Sequence, residues 1–148
     1  MKLTIIRHAH AQRRGISDHA RVLSPQGHRQ VQELRPCLHD VIQPDIVLHS
    51  DAARTTETAQ LLDFNCDYLS LPELYSAGVE GMVDAVVEYG KDSTVVVGHE
   101  PTVSAVAAFL SGSDEFFGGV PTATAIILEG EAVQAGMSVV DRFVAPRR

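Results

Sequence analysis

Two histidines, His8 and His10 in "TIIRHAHAQRR", stand beside Arg7, Arg13 and Arg14 at the end of an apolar run, and their types and spacing could do chemistry. An imidazole and a guanidinium lose hydration if a sheet buries them, a cost that a functional role explains. Residues i and i+2 face the same way on a strand, so His8 and His10 could hold a metal; alternatively, His8 is a nucleophile supported by arginine. Further along, "HSDAARTTETA" supplies Arg54 shortly after Ser50, and "VVVGHEP" supplies His99. A neutral imidazole attacks phosphorus near neutral pH and a guanidinium grips two oxygens at once, so such a set suits a dianionic phosphoryl group.

These residues can meet only if the elements between them return to one place. "KLTIIR" reads as a strand, and "SPQGHRQVQELRPCL" as a helix with Ser24 as N-cap and Pro25 at its first position. "DIVLHS" (45–50) reads as a second buried strand, and "DAARTTETAQLL" as a helix with acidic Asp51 at its start. An extended piece around "CDYLSLP" leads through a loop to a helix over "GMVDAVVEYG" that Gly90 ends. "STVVVGHE" is the strongest strand, "PTVSAVAAFL" a helix opening on Pro101, and "ATAIILEG" and "MSVVDRFVA" are expected to add edge strands. Alternating strands and helices predict an α/β fold, a mostly parallel central sheet with helices on both faces. Ligands of such sheets bind beyond the carboxyl ends of the strands, where Arg7 and His8, Ser50 to Arg54, and Gly98 and His99 all fall. Helix N-termini at that edge add to an anion pocket.

At 148 residues the chain suits one domain, 1–148, without linker, repeat or low-complexity segment. Its 19 acidic and 12 basic residues give a formal charge of -7, which repels nucleic acid and anionic membranes, so neither is an expected partner and any bound anion must be held by local charge. "LTII" after Met1-Lys2 is too short for a signal peptide or a spanning helix, which predicts a cytoplasmic protein. Cys37 and Cys66 lack a C-x-x-C spacing and read as structural or incidental thiols.

The same segments resemble a known family. "RHAHA" is similar to the Arg-His-Gly/Ala motif of the histidine phosphatase, or phosphoglycerate mutase-like, superfamily; "HSDAARTTETA" resembles its S-x-x-x-R-x-x-x-T-A segment, and "VVVGHEP" its second-histidine strand. Ala9 after the histidine, "SDHARVLSPQGHRQ", "LPEL" and the "GHxP" end resemble the small phosphohistidine phosphatase, SixA-type, branch. The resemblance implies a phosphoglycerate mutase-like domain without large lid insertions. It implies His8 as a nucleophile that becomes phosphorylated, with Arg7, Arg54 and His99 around the phosphoryl oxygens, and neither metal nor other cofactor. Arg21 matches an arginine of the branch and is read as loop-ordering first and phosphate-contacting second. The chain departs from the branch at His10 and Glu100, and His10 is read as either substrate rim or surface. For the general acid, which many members take from a loop after the central helix, Glu73 in "LPELYSAGVEG" is the nearest candidate and Glu80 the next.

A chain of this size leaves no room for the long segments that cover the pocket in larger relatives, so the pocket is expected to be open. The first expectation is therefore a phosphohistidine phosphatase acting on a phosphorylated protein domain. The alternatives are a phosphatase of a small phosphate ester and a phosphate- or phosphohistidine-binding module without turnover, which would not need His8. An imidazole leaving group demands less of an acid than an alkoxide, so a weak acid points toward an N–P substrate. A His8/His10 metal site lacks a supporting carboxylate or cysteine ligand. His19, His28, His39 and His49 read as surface or packing residues, Arg13 and Arg14 as charges that either attract a phosphate or solvate a loop, and the final "PRR" as a frayed tail.

Overall fold

The first apolar run forms β1 (Lys2–Arg7), buried from Leu3 through Ile6. Its alternate side chains serve opposite faces of the sheet: Leu3 and Ile5 join one hydrophobic cluster and Ile6 the other. The computed structural model describes residues 1–145; the "PRR" expected as a frayed tail lies outside the described residues. Helix α1 (Pro25–Val41) opens where the sequence indicates, with Ser24 Oγ accepting from Gly27 N and Pro25 in the first turn. Then follow β2 (Ile46–Ser50), α2 (Ala53–Leu62), β3 (Asp67–Leu71), a 3-10 turn (Pro72–Leu74), α3 (Val79–Tyr89), β4 (Ser93–Gly98) and α4 (Thr102–Ser111). A second 3-10 turn (Asp114–Phe116) leads to β5 (Thr124–Glu129) and β6 (Ser138–Val144).

The sheet has the order β3-β2-β4-β1-β5-β6. β3, β2, β4 and β1 are parallel, and β5 runs antiparallel to both β1 and β6. Apolar residues of α1 and α2 pack on one face and those of α3 and α4 on the other, so the expected α/β architecture with helices on both faces is the one formed. One expectation needs correcting: β5 is not an edge strand. It is buried from Thr124 through Leu128 because it fills the gap between β1 and β6. β6 is the edge, and its exposed Asp141 and Arg142 suit a strand whose outer side has no partner strand among the described residues. Pro101 is also displaced by one position, being the N-cap of α4 rather than its first residue.

Register brings the unusual residues together. Arg7 is paired with Gly98, and His8 N donates to Gly98 O at 3.1 Å, so the residues following β1 and β4 emerge side by side. His49 pairs with Val97, which brings Ser50 to the same edge. Gly27 lets α1 close against this edge: a Cβ there would lie 2.1 Å from the His10 carbonyl oxygen.

Candidate active site

His8 follows β1 directly and is 8% exposed. Its Nδ1 lies 2.7 Å from the Ala9 carbonyl oxygen, an acceptor only, so Nδ1 carries the proton and Nε2 keeps its lone pair. Ala9 N in turn donates to Thr58 Oγ1 at 3.0 Å, which fixes the turn that holds the ring. Burial, reinforced by the charges of His99, Arg54 and Arg7, lowers the His8 pKa to about 3 against an opposing effect of the Ala9 hydrogen bond. Burial, not the neighbouring arginines, is the leading cause of this shift.

His99 follows β4 and its ring centroid stands 5.4 Å from that of His8. Its Nε2 lies 2.8 Å from Ser50 Oγ. That hydroxyl accepts from Ala52 N, so its own proton is available to His99 Nε2, and the neutral ring then carries its proton on Nδ1. Burial and the Arg54 charge lower the His99 pKa to about 4, with Asp18 opposing. Arg54 sits in the first turn of α2 and is 6% exposed. Its Nη1 donates to Asp18 O at 2.8 Å and its Nη2 to Asp18 Oδ2 at 3.1 Å. Among the described residues, the buried Arg54 Nε and His99 Nδ1 have no hydrogen-bond acceptor. Two buried donors without an acceptor, on side chains whose charges act on His8, suit the binding of an anion that the His8 lone pair could attack.

Arg7, whose charge also acts on His8, donates from Nη1 to Val120 O at 2.7 Å. The Val120 loop is held by Glu100, whose Oε2 accepts from Val120 N at 3.1 Å while Oε1 accepts from Ser104 N at 2.7 Å. A cleft of about 330 Å³ lined by Arg7, Glu100 and the 118–121 segment opens beside it. A larger cleft, about 530 Å³, lies between α1 and α2 and is lined by none of these residues.

The structure thus brings together Arg7, His8, Arg54 and His99. Arg21 spans the 12–23 loop, donating from Nε to Asp18 Oδ1 at 3.0 Å and from Nη1 to Gln12 O at 2.9 Å. His10 does not share a strand face with His8, because β1 ends at Arg7; its ring pairs with Ser24 Oγ at 2.6 Å, at the cap of α1. Among the described residues, no three His, Cys, Asp or Glu side chains stand close enough together to hold a metal ion.

Glu73 is not brought into the site. It is exposed in the 3-10 turn after β3, and its charge acts on Tyr89 at the far end of α3. Two residues on, around the same turn, Tyr75 takes the inward position: its hydroxyl donates to Asp18 Oδ2 and its ring stands edge-on to His99 at 5.5 Å. Tyr75, with Arg21 and Arg54, holds the Asp18 carboxyl well below the usual carboxylate range. Glu80 is likewise exposed, in the first turn of α3. Sequence reasoning missed Asp18, Tyr75 and the pairing of His19 with Asp51 at 2.8 Å. Asp18 and Arg21 at i and i+3 carried a readable charge spacing; Tyr75 and the His19 pair rest on contacts distant in sequence. The other histidines pack or pair elsewhere, His39 stacked on Phe64, His49 beside Ser50 O and His28 near Glu57.

The sequence profile of the histidine phosphatase superfamily (branch 1) matches residues 3–75, the stretch that supplies Arg7, His8 and Arg54. An uncharacterized protein of Mycobacterium tuberculosis (strain H37Rv) is 34% identical over 106 residues, 68% of this chain and 67% of the relative. This chain belongs to the histidine phosphatase superfamily. Its activity class is that of a phosphatase and its fold is of the SixA type. The solved structure of a protein from Nakamurella multipartitia, assigned as phosphohistidine phosphatase SixA, superposes with a TM-score of 0.83 at 27% identity, covering 97% of this chain and 95% of that one. The alpha-ribazole phosphatase from Shigella flexneri shares the fold with a TM-score of 0.75 at 21% identity, covering 99% and 97% of the two chains. No helix among the described residues is long and apolar enough to cross a membrane.

Proposed function

We propose that this phosphatase works through a covalent phosphohistidine on His8 and that its substrate is phosphohistidine carried by a cytoplasmic protein domain. The observation that carries the nucleophile is the Ala9 carbonyl at 2.7 Å from His8 Nδ1, which reserves the Nε2 lone pair for phosphorus. The phosphoryl group sits between His8, Arg7, Arg54 and His99. Arg54 Nε and His99 Nδ1 donate to its equatorial oxygens as charge spreads over them in the transition state. Phosphorylated His8 keeps its Nδ1–H on Ala9 O, and water attack then returns the electron pair to Nε2. Neither step uses a metal in this reading, and Arg21 acts through the loop that carries Asp18.

The substrate assignment rests on two features. The likeness to SixA-assigned structures favours phosphohistidine. Glu73, the loop carboxyl expected to protonate an alkoxide, the harder of the two leaving groups, is also exposed and acts on Tyr89, while the Asp18 carboxyl in the site is held ionised by Tyr75, Arg21 and Arg54. A small phosphate ester is the second reading, favoured by the fold shared with the alpha-ribazole phosphatase. A side-by-side measurement of kcat/KM on a phosphohistidine-bearing protein and on a panel of alkyl phosphates separates them. Preference for the protein supports the first reading, a wide preference for an ester establishes the second, and binding without turnover of either would leave a binding module. Enzyme quenched during turnover should carry label on His8 that survives alkali and is lost in acid, and His8→Ala should carry none.

A further inference from the structure

We propose that His19 is the proton donor of this reaction, delivering its proton to the far ring nitrogen of the imidazole that leaves a phosphohistidine substrate. The inference rests on His8 being the nucleophile and phosphohistidine the substrate. Four rings form a continuous row along one wall of the site: His8 to His99 at 5.4 Å, His99 to Tyr75 at 5.5 Å, and Tyr75 to His19 at 4.9 Å between centroids. Exposure rises along the row, His8 and His99 being buried and Tyr75 and His19 partly exposed. The row therefore runs from the nucleophile to the mouth, the path that an entering imidazole follows.

His19 is held there at two points. Its carbonyl accepts from Ala53 N at 2.9 Å, which ties the 12–23 loop to the start of α2, and its Nε2 donates to Asp51 Oδ1 at 2.8 Å. The carboxylate fixes the ring and leaves Nδ1 as the nitrogen that exchanges protons. The charged and titratable groups around it include Asp51 and Asp18, Arg54 behind Asp18, Tyr75 across the ring contact, and His99, on which the His19 charge acts.

Position favours this acid for an N–P bond. In an ester the atom needing a proton is the one bonded to phosphorus, deep in the site. In phosphohistidine it is the other ring nitrogen, one ring-width nearer the mouth, where His19 stands. As the His8 Nε2–P bond forms, the P–N bond breaks and its electron pair stays on the leaving nitrogen. The far nitrogen takes the Nδ1 proton of His19, so neutral imidazole departs and His19 becomes neutral. Solvent then returns a proton to the half-exposed ring, and water cleaves phosphorylated His8, its second proton going to the released phosphate.

Two small probes test this: phosphoimidazole, whose far nitrogen must gain a proton, and 3-methyl-1-phosphoimidazolium, whose far nitrogen is already substituted and needs none. His19→Ala should lose about a hundredfold in kcat/KM on phosphoimidazole, and the loss on the methylated probe should be smaller by about tenfold or more. Asp51→Asn, which misplaces the ring without removing it, should give a lesser loss with the same contrast between probes. Equal losses on both probes in both variants would overturn the role of His19 while leaving the phosphohistidine reading intact. Wild-type enzyme that ignores phosphoimidazole but cleaves alkyl phosphates would overturn that reading, and this inference with it.

Discussion

At His8 a single backbone carbonyl determines which ring nitrogen can react, and burial determines over what pH range it can do so. With the pKa lowered to about 3, the ring stays neutral through mildly acidic solution. The kcat/KM profile on an aryl phosphate should therefore show the substrate's own ionisation near pH ~6 and no enzyme limb near the ordinary histidine value of ~6.5. An enzyme limb at that value would mean that His8 is not shielded as its burial indicates. The same burial has a stability consequence of definite sign. Between pH ~6.5 and about 3 the unfolded chain takes up a proton that folded His8 refuses, so stability is full above that window and falls on acidification by about 1.4 kcal/mol per pH unit. His8→Ala should show a shallower decline of Tm from pH 7 to pH 4.5 than wild type, and parallel declines would disprove the linkage. Arg54 has a different constraint. Asp18 occupies its two terminal nitrogens, so a phosphoryl group is met by Nε or must share the fork. Lysine keeps the charge but cannot hold Asp18 and phosphate together. Arg54→Lys should lose roughly 2 to 4 kcal/mol of transition-state binding, about thirty- to several-hundred-fold in kcat/KM. Near-normal turnover of that variant would remove Arg54 from the chemistry.

At the scale of elements, the close approach of α1 to the end of β1 depends on a missing side chain. Gly27→Ala would drive a methyl group into the His10 carbonyl, a backbone atom that cannot swing aside. We expect a loss of about 1 to 3 kcal/mol in urea unfolding, together with a fall in kcat, because His10 is two residues from His8, the proposed nucleophile. Unchanged stability would mean that the loop yields freely and does not clamp His8. The sequence made the elements carrying Arg7, His8, Arg54 and His99 legible, because "KLTIIR", "DIVLHS" and "STVVVG" are apolar runs and Ser24-Pro25 is an explicit helix start. Parallel strands put their ends at one edge, so placing the strands nearly placed the site. The interior position of β5 was not legible, since an apolar run of that length serves equally at an edge that another element covers. The side of the 3-10 turn that faces the site was not legible either. Glu73 and Tyr75 differ by two positions in a turn of three residues per revolution, and only the packing of Leu74 against the core determines which faces Asp18. His19 and Asp51 lie 32 residues apart, and no local pattern announces their bond.

For the whole molecule, the relevant contrast is between a formal charge of -7 and a site edged by Arg7, Arg54 and Arg21, with Arg13 and Arg14 exposed on the adjoining loop. A small dianion is governed by the nearby arginines. An acidic phosphoprotein must also bring its own negative surface against the rest of the domain. At 0.01 M salt, screening extends over about 30 Å, long enough for the whole negative surface to act; at 0.15 M it shrinks to about 8 Å, and mainly the mouth is felt. The two kinds of substrate should therefore respond to salt in opposite directions. Between those concentrations, kcat/KM on an acidic phosphohistidine protein should rise several-fold as long-range repulsion is screened, while kcat/KM on phosphoimidazole should fall modestly as attraction to the arginines weakens. If the acidic protein also slows with added salt, the positive mouth outreaches the negative body, and docking is steered by Arg13, Arg14 and Arg21 rather than opposed by the net charge.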